Sequence, residues 1–450
     1  MDRRNFLTTS TTAVLGSSTA LAATPLITSD AMRPQMAHGV QSGDPQTDGA
    51  IIWTRSDRPA RLWLDWSTTA IMANATRVRG PFMLEDSDYT GRLDLRGLPA
   101  GQEIFYRVIL QDLHNERVLS EALPGHLRLP AAALGGKATR DVRFAWSGDT
   151  AGQGWGINEA WGGMKIYEQM RQVRPDFFLH CGDTIYADGP ITAQVKLADG
   201  SMWNNIVTEE VSKVAESLNE FCGRYRYNLM DANVRRMAAE VPQIWQWDDH
   251  EVTNNWSDAK DLAADKRYTE KNLPLLTARA KATWKVISAD MPIGLHVGDG
   301  KDADGRNRWE ASANGDDGAP LGREIEIARL LGEIKKANIH NVVWLTADVH
   351  YTAAHYFDPS KAQFSNFEPF WEFVSGPLNA GGFGPNKVDA TFGMQVVYQK
   401  APDVVNAPPT NGMQFFGQVD IDAKTKAMTV TLKDLAGAAL YTKTLAPQRG

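Results

Sequence analysis

The chain has 450 residues, 43% hydrophobic and 22% charged, and 47 Lys and Arg against 54 Asp and Glu give a net charge of −7. That length and composition bury a large core in about two or three domains, which excludes intrinsic disorder, collagen and small disulfide scaffolds. Cys181 and Cys222 make one disulfide at most and no zinc-type cysteine site, and the acidic balance offers nucleic acid no electrostatic footprint, whereas an anionic substrate fits if a bound metal reverses the local field.

The chain opens Met1-Asp2-Arg3-Arg4-Asn5-Phe6-Leu7, continues through a weakly apolar run and reaches Ala20-Leu21-Ala22. A charged start, an apolar middle and small residues at the end make residues 1–22 a signal peptide, and the paired arginines before Phe-Leu resemble a twin-arginine export signal. The expectation is a periplasmic or secreted protein that has met the twin-arginine export machinery, with no membrane span in the mature chain.

Residues 33–130 read as a small N-terminal β-sandwich. Ala50–Arg55, Arg61–Trp66 and Glu103–Leu110 are short runs rich in aromatic and β-branched residues, separated by Gly and Pro punctuation. Pro130–Ala138 reads as a linker, and residues 140–450 as the catalytic domain. There, Val142–Trp146, Asp176–Cys181, Pro242–Trp247 and Val342–Thr346 read as buried strands. Asn158–Val173, Ala259–Ser288 and Gly322–Asn338 read as helices, 297–321 as a loop, and Met428–Leu432 and Ala439–Tyr441 as closing strands.

The four buried strands end alike. They run into Ser147-Gly148-Asp149, into Gly182-Asp183-Thr184-Ile185-Tyr186, into Asp248-Asp249-His250-Glu251 with Asn254 and Asn255 just beyond, and into Ala347-Asp348-Val349-His350. Sites in α/β sheets form outside the carboxyl ends of the strands. Carboxylates and imidazoles crowded there repel one another unless cations sit between them, which implies a metal site, with two metals as the natural reading. Each motif alone has a plainer explanation: Gly-Asp is a common turn, Asp-Asp-His-Glu suits a helix N-terminus, and Tyr186 could be a packed aromatic. The joint pattern carries the inference. Gly152-Gln153-Gly154-Trp155-Gly156 lacks dinucleotide-binding spacing and reads as a wall beside Asp149. Phe221–Arg226 supplies two arginines, one of which, Arg226, is a candidate phosphate contact. Ser375-Gly376-Pro377 is a further strand end with no assigned role.

In this order the motifs resemble the calcineurin-like metallophosphoesterases. Gly182–Tyr186, Trp247–Glu251 and Asp348-Val349-His350, with His38-Gly39-Val40-Gln41-Ser42-Gly43-Asp44-Pro45 upstream, resemble the alkaline phosphatase D (PhoD-like) branch. The resemblance implies a four-layer α/β/β/α domain behind the β-sandwich. It also implies hydrolysis of phosphate mono- or diesters by attack of a metal-bound hydroxide at a binuclear centre of iron(III) and calcium. Asp183 would bridge the metals, Tyr186 would bind iron, and Asp149, Asp249, Asp348 and His350 would complete the shells. His250 would stand beside the phosphate, and Asn254 or Asn255 would contact metal or phosphate. Asp149 stands where the branch places Cys; as a harder ligand it admits manganese or magnesium. The alternative is a catalytically inactive member that binds metal or polyphosphate, and the retained carboxylates and His250 argue against it.

Overall fold

The computed structural model describes residues 29–131, 140–255, 267, 284–302 and 304–448. The signal-peptide segment 1–22 lies outside them, as does most of the expected helix Ala259–Ser288.

Glu103–Asp112 alternates between partly and fully buried positions along its whole length, as a strand with one face on a core must. It lies in a four-stranded antiparallel sheet ordered Thr76–Met83, Ala60–Ser67, Glu103–Asp112, Leu123–Arg128. Val40–Gln46, Gly49–Arg55 and Thr90–Arg96 form a second antiparallel run, and the two share a core containing Ile52, Leu62, Leu95, Val108 and Leu127. The second run does not end as a separate sheet. Gly43 pairs in parallel with Gln243, so these strands extend the main sheet.

That sheet has nine strands, ordered Ala439–Leu445, Met428–Asp434, Phe415–Ile421, Val142–Ser147, Phe177–His180, Gln243–Trp245, then the three N-terminal strands. Val142–Ser147, Phe177–His180 and Gln243–Trp245 are parallel and in step, with Ser147 and Trp245 both opposite His180, so their carboxyl ends form one edge. A five-stranded sheet runs Lys285–Ser288, Val342–Thr346, Phe370–Val374, Thr352–Phe357, Met394–Lys400. Phe144, Trp146 and Val430 of the first sheet share a core with Leu345 and Phe373 of the second. Helices Lys165–Gln172 and Ala232–Glu240 bury Ile166, Met170 and Met237 on the outer side of the nine-stranded sheet, and Glu324–Lys336 buries Leu331 against Trp344 and Phe370.

Four expectations are corrected. Pro242–Trp247, expected as a buried strand, pairs only over Gln243–Trp245 and leaves Ile244, Trp245 and Trp247 exposed. The helix expected over Asn158–Val173 begins only at Lys165, because Gly162 and Gly163 take φ of 100° and 72°, which no right-handed helix holds. Lys285–Ser288, expected at the end of a helix, is a strand parallel to Val342–Thr346. The expected loop 297–321 contains a hairpin, Gly298–Lys301 with Asn307–Trp309.

Candidate metal centre

Each chemistry-bearing residue follows a strand at the shared carboxyl edge. Asp149 follows Val142–Ser147, Asp183 follows Phe177–His180, Asp249 and His250 follow Gln243–Trp245, and Asp348 and His350 follow Val342–Thr346. The backbone there is strained: Asp149, Asp183, Asp348 and His350 have φ of 68°, 52°, 56° and 58°. Such left-handed residues without glycine persist only where their surroundings hold them, and they concentrate at functional sites. Cross-loop bonds do the holding: Thr150 N donates to Asp183 O at 2.8 Å, Ala187 N to His250 O at 2.8 Å, and His250 N to Asp183 Oδ1 at 3.2 Å.

Two groups of ligand atoms result. One donor atom each from Asp149, Asp183 and His350 lies within 4.8 Å of the others, and Asp183, Asp249 and His250 form a second such group, with Asp183 common to both. Tyr186 joins the first, its hydroxyl 3.0 Å from His350 Nε2. His350 Nδ1 donates to Gly381 O at 2.5 Å, which leaves the Nε2 lone pair facing the cluster, and burial lowers this imidazole to about 4, so it is neutral.

The donor set fits a metal. Asp149 Oδ2, Asp249 Oδ1 and Asn255 Oδ1 are buried with no hydrogen-bond partner, a costly condition for carboxylate and amide oxygens unless a cation meets them. Burial, then neighbouring acids, holds the Asp149, Asp183 and Asp348 carboxyls well above the usual range; for Asp183 the strongest acidic neighbour is Asp249, for Asp348 it is Glu310. Burial, then the Asp183 charge, likewise raises the Tyr186 phenol. A cation among these groups removes the repulsion and favours their ionised forms.

His250 stands apart from this logic. Its Nδ1 lies 2.6 Å from Asp188 Oδ1, whose second oxygen accepts from Asn254 N at 3.0 Å. Burial opposes the imidazolium, but the bond to Asp188 and the Asp249 charge outweigh it and raise its pKa. Its ring lies 4.3 Å from that of Tyr186, centroid to centroid.

Sequence reasoning missed four acids. Asp188 sits five residues past Asp183 in the same loop, a spacing that was legible. Glu251 is a loop organiser: its carboxylate accepts from the backbone of Asp183, Thr184, Ile185 and Asp248. Asp290 stands close enough to Asp248 for its charge, after burial, to raise that carboxyl, and it follows Lys285–Ser288 as the other acids follow their strands, so recognition of that strand would have found it. Glu310, beside Asp249 and His250, arrives from the Gly298–Trp309 hairpin and has no local signal; burial and the Asp249 charge push it up to about 7.

Of the two asparagines, Asn254 is exposed, whereas Asn255 turns its unpartnered Oδ1 inward with a φ of 56°. Arg226 is not brought to the cluster. Its guanidinium is held by Asp88 at 2.6 Å, Glu210 at 3.1 Å and Asn219, so the expected phosphate contact is not carried further. Two glycines are set by close approach: a Cβ on Gly152 would lie 2.2 Å from the Tyr186 ring, and one on Gly376 would lie 2.2 Å from Asp149 Oδ2. The Gly-rich segment and the Ser375-Gly376-Pro377 strand end are therefore walls of the cluster.

Strained strand ends that bring unpartnered carboxylates and a neutral imidazole to one edge define a class: an α/β protein built to hold metal at the carboxyl edge of facing sheets. Residues 144–282 and 275–432 match the PhoD-like phosphatase family model, residues 19–130 match that of the PhoD-like phosphatase N-terminal domain, and the chain belongs to this family. It is similar to alkaline phosphatase D of Bacillus subtilis (strain 168), at 23% identity over 234 residues, 49% of this chain and 36% of that protein. The match thus spans about a third of that relative's length. Among solved structures, one of PhoD aligns with a TM-score of 0.64 at 16% identity, covering 94% of this chain and 90% of that one. The purple acid phosphatase PPD1 from yellow lupin (Lupinus luteus) seeds aligns at 0.55 and 11%, covering 92% and 74%. At these identities both likenesses speak to the fold.

Proposed function

We propose that the protein is an exported phosphatase or phosphodiesterase with a binuclear metal centre, on a four-layer helix–sheet–sheet–helix domain preceded by a β-sandwich. The observation that carries this reading is Asp183, shared between the two ligand groups and flanked by carboxylate oxygens without partners. Asp149, Asp183, Tyr186 and His350 would hold one metal; Asp183, Asp249 and Asn255 would hold the second, with Asp348 completing the shells. The phenol of Tyr186 favours a hard trivalent ion such as iron(III), and the surrounding carboxylates suit calcium, manganese or magnesium. When bound, the metals polarise phosphoryl oxygens and generate a nucleophile from water at neutral pH.

The chain's own residues supply the rest. Asp188 accepts from His250 Nδ1 and fixes the ring, so Nε2 is the atom from which His250 protonates the leaving oxygen. His350 is kept neutral and oriented by Gly381 O. The substrate class that fits is a phosphate ester, and the Arg3-Arg4 signal supports export through the twin-arginine machinery. Among the described residues no helix is long and apolar enough to cross a membrane.

The test is initial rates on an aryl phosphomonoester and a bis-aryl phosphodiester, for chelated protein, for protein reloaded separately with iron plus calcium and with manganese, and for Asp183→Asn. Metal-restored turnover that Asp183→Asn abolishes supports the reading. Folded protein inert to both esters with every metal supports the inactive, metal- or polyphosphate-binding alternative.

A further inference from the structure

We infer that helix Leu218–Asn228 is a strut through which the N-terminal domain positions the loop bearing Tyr186 and Asp188, with the Asp88–Arg226 ion pair as its joint. This rests on the metal-centre reading above.

The helix is set for the task by its own periodicity. Ser217 caps it, accepting from Glu220 N, while Glu220 returns a bond to Ser217 N at 2.9 Å. At about 100° per residue, Arg224 and Asn228 share a face and Arg226 points nearly the opposite way. The first face grips the loop. Asn228 Nδ2 donates to Thr184 O at 2.6 Å, and the buried Arg224 donates to the carbonyls of Tyr186 and, at 2.9 Å, Gly189. Arg224 thereby clamps both ends of the turn that carries Tyr186 and Asp188. Its other terminal nitrogen holds the Lys213 carbonyl, so Arg224 braces three backbone carbonyls at once.

The opposite face grips the N-terminal domain. Arg226 Nη1 meets Asp88 Oδ2 at 2.6 Å, and the same carboxylate takes Arg55 at 2.7 Å and 3.1 Å. Arg226 is 14% and Arg55 18% exposed at the side chain, and Asp88 between them 34%, so the joint is half-buried on its Asp88 side. The turn presenting Asp88 is strained for the purpose: Asp88 and Tyr89 are consecutive non-glycine residues with φ of 50° and 54°. The contact path thus runs Arg55, Asp88, Arg226, Arg224 and Asn228, then the 184–189 loop, and from there to His250 through Asp188. None of Asp88, Arg226, Arg224 and Asn228 touches the reacting atoms; they are positioning residues.

The test uses the full-length protein and the variants Asp88→Asn, Arg226→Gln, Arg226→Lys and the Asp88→Asn/Arg226→Gln double variant. Manganese affinity is read by calorimetry, and kcat and KM on a bis-aryl phosphodiester are normalised to bound manganese. The strut predicts that Asp88→Asn lowers manganese affinity or kcat by about two- to thirtyfold, with KM changed less than about twofold. The double variant should be no worse than the stronger single one, and Arg226→Lys should recover part of the loss. Wild-type affinity and kcat in folded Asp88→Asn, or losses that simply add, would overturn it. If Asp88→Asn lacks a cooperative melting transition, Arg226→Gln and Arg226→Lys decide by the same criteria. A wild type inert to both the monoester and the diester with every metal would refute the phosphatase reading, while the affinity measurement still judges the strut.

Discussion

Replacing Gly376 by Ala tests whether Asp149 is a metal ligand without altering any ligand. Gly376 has no positive φ, so its backbone accepts alanine. The added Cβ would stand 2.2 Å from Asp149 Oδ2, the oxygen that lacks a partner. Real Cβ contacts do not fall below 3.0 Å, so the carboxylate must retreat by about 0.8 Å or the strand end must yield. Metal–oxygen distances tolerate only about 0.2 Å, so a shift of that size ends coordination by this oxygen. The expected result is about a hundredfold loss in kcat or in manganese affinity, with overpacking costing about 1–3 kcal/mol of stability. Calorimetric titration, initial rates and thermal melting of the same preparations measure all three. A Gly376→Ala protein that binds manganese and turns over as wild type does would show that Asp149 Oδ2 does not hold metal.

Asp188→Asn should lower kcat about 10- to 100-fold while leaving KM nearly unchanged, because the amide no longer holds His250 with its proton on Nδ1; steady-state kinetics on the diester decides. Chelation should expose the repulsion among Asp149, Asp183 and Asp348. Burial and neighbouring charge raise their folded pKa values, so the stability they contribute is present at low pH and lost as pH rises through those values. The melting temperature of chelated protein should therefore fall as pH rises above about 4, and saturating manganese should cancel that fall. Glu168 has the opposite sign. Side-chain bonds from Arg171 hold it at about 2, so its contribution is present above its usual 4.5 and vanishes as pH falls toward 2. Glu168→Gln should cost about 1 kcal/mol in denaturant unfolding near neutral pH, and the difference from wild type should close near pH 2.

The site was legible because its chemistry is local to strand ends. A run of apolar residues stopping at an acid is visible one strand at a time, and four such stops imply one edge, even though Gln243–Trp245 leaves Ile244 and Trp245 exposed. Asp290 escaped because Lys285–Ser288 carries no alternation to separate it from the helical pattern before it. Glu310 escaped because a hairpin, and not a strand end, brings it in. Arg226 was misplaced for a different reason. Its sequence shows a cation near aromatics, whereas its partner Asp88 lies 138 residues away and only the packing of the two domains brings them together. The extension of the main sheet by N-terminal strands depends on the pairing of Gly43 with Gln243, a contact no local pattern encodes.

The central claim is that Asp183 stands between two metal ions. Anomalous diffraction from crystals of the manganese-loaded protein tests it directly. The account predicts two peaks, one against Asp149, Tyr186 and His350 and the other against Asp249 and Asn255, with an Asp183 carboxylate oxygen on each. A single peak, or metal bound away from Asp183, would contradict it.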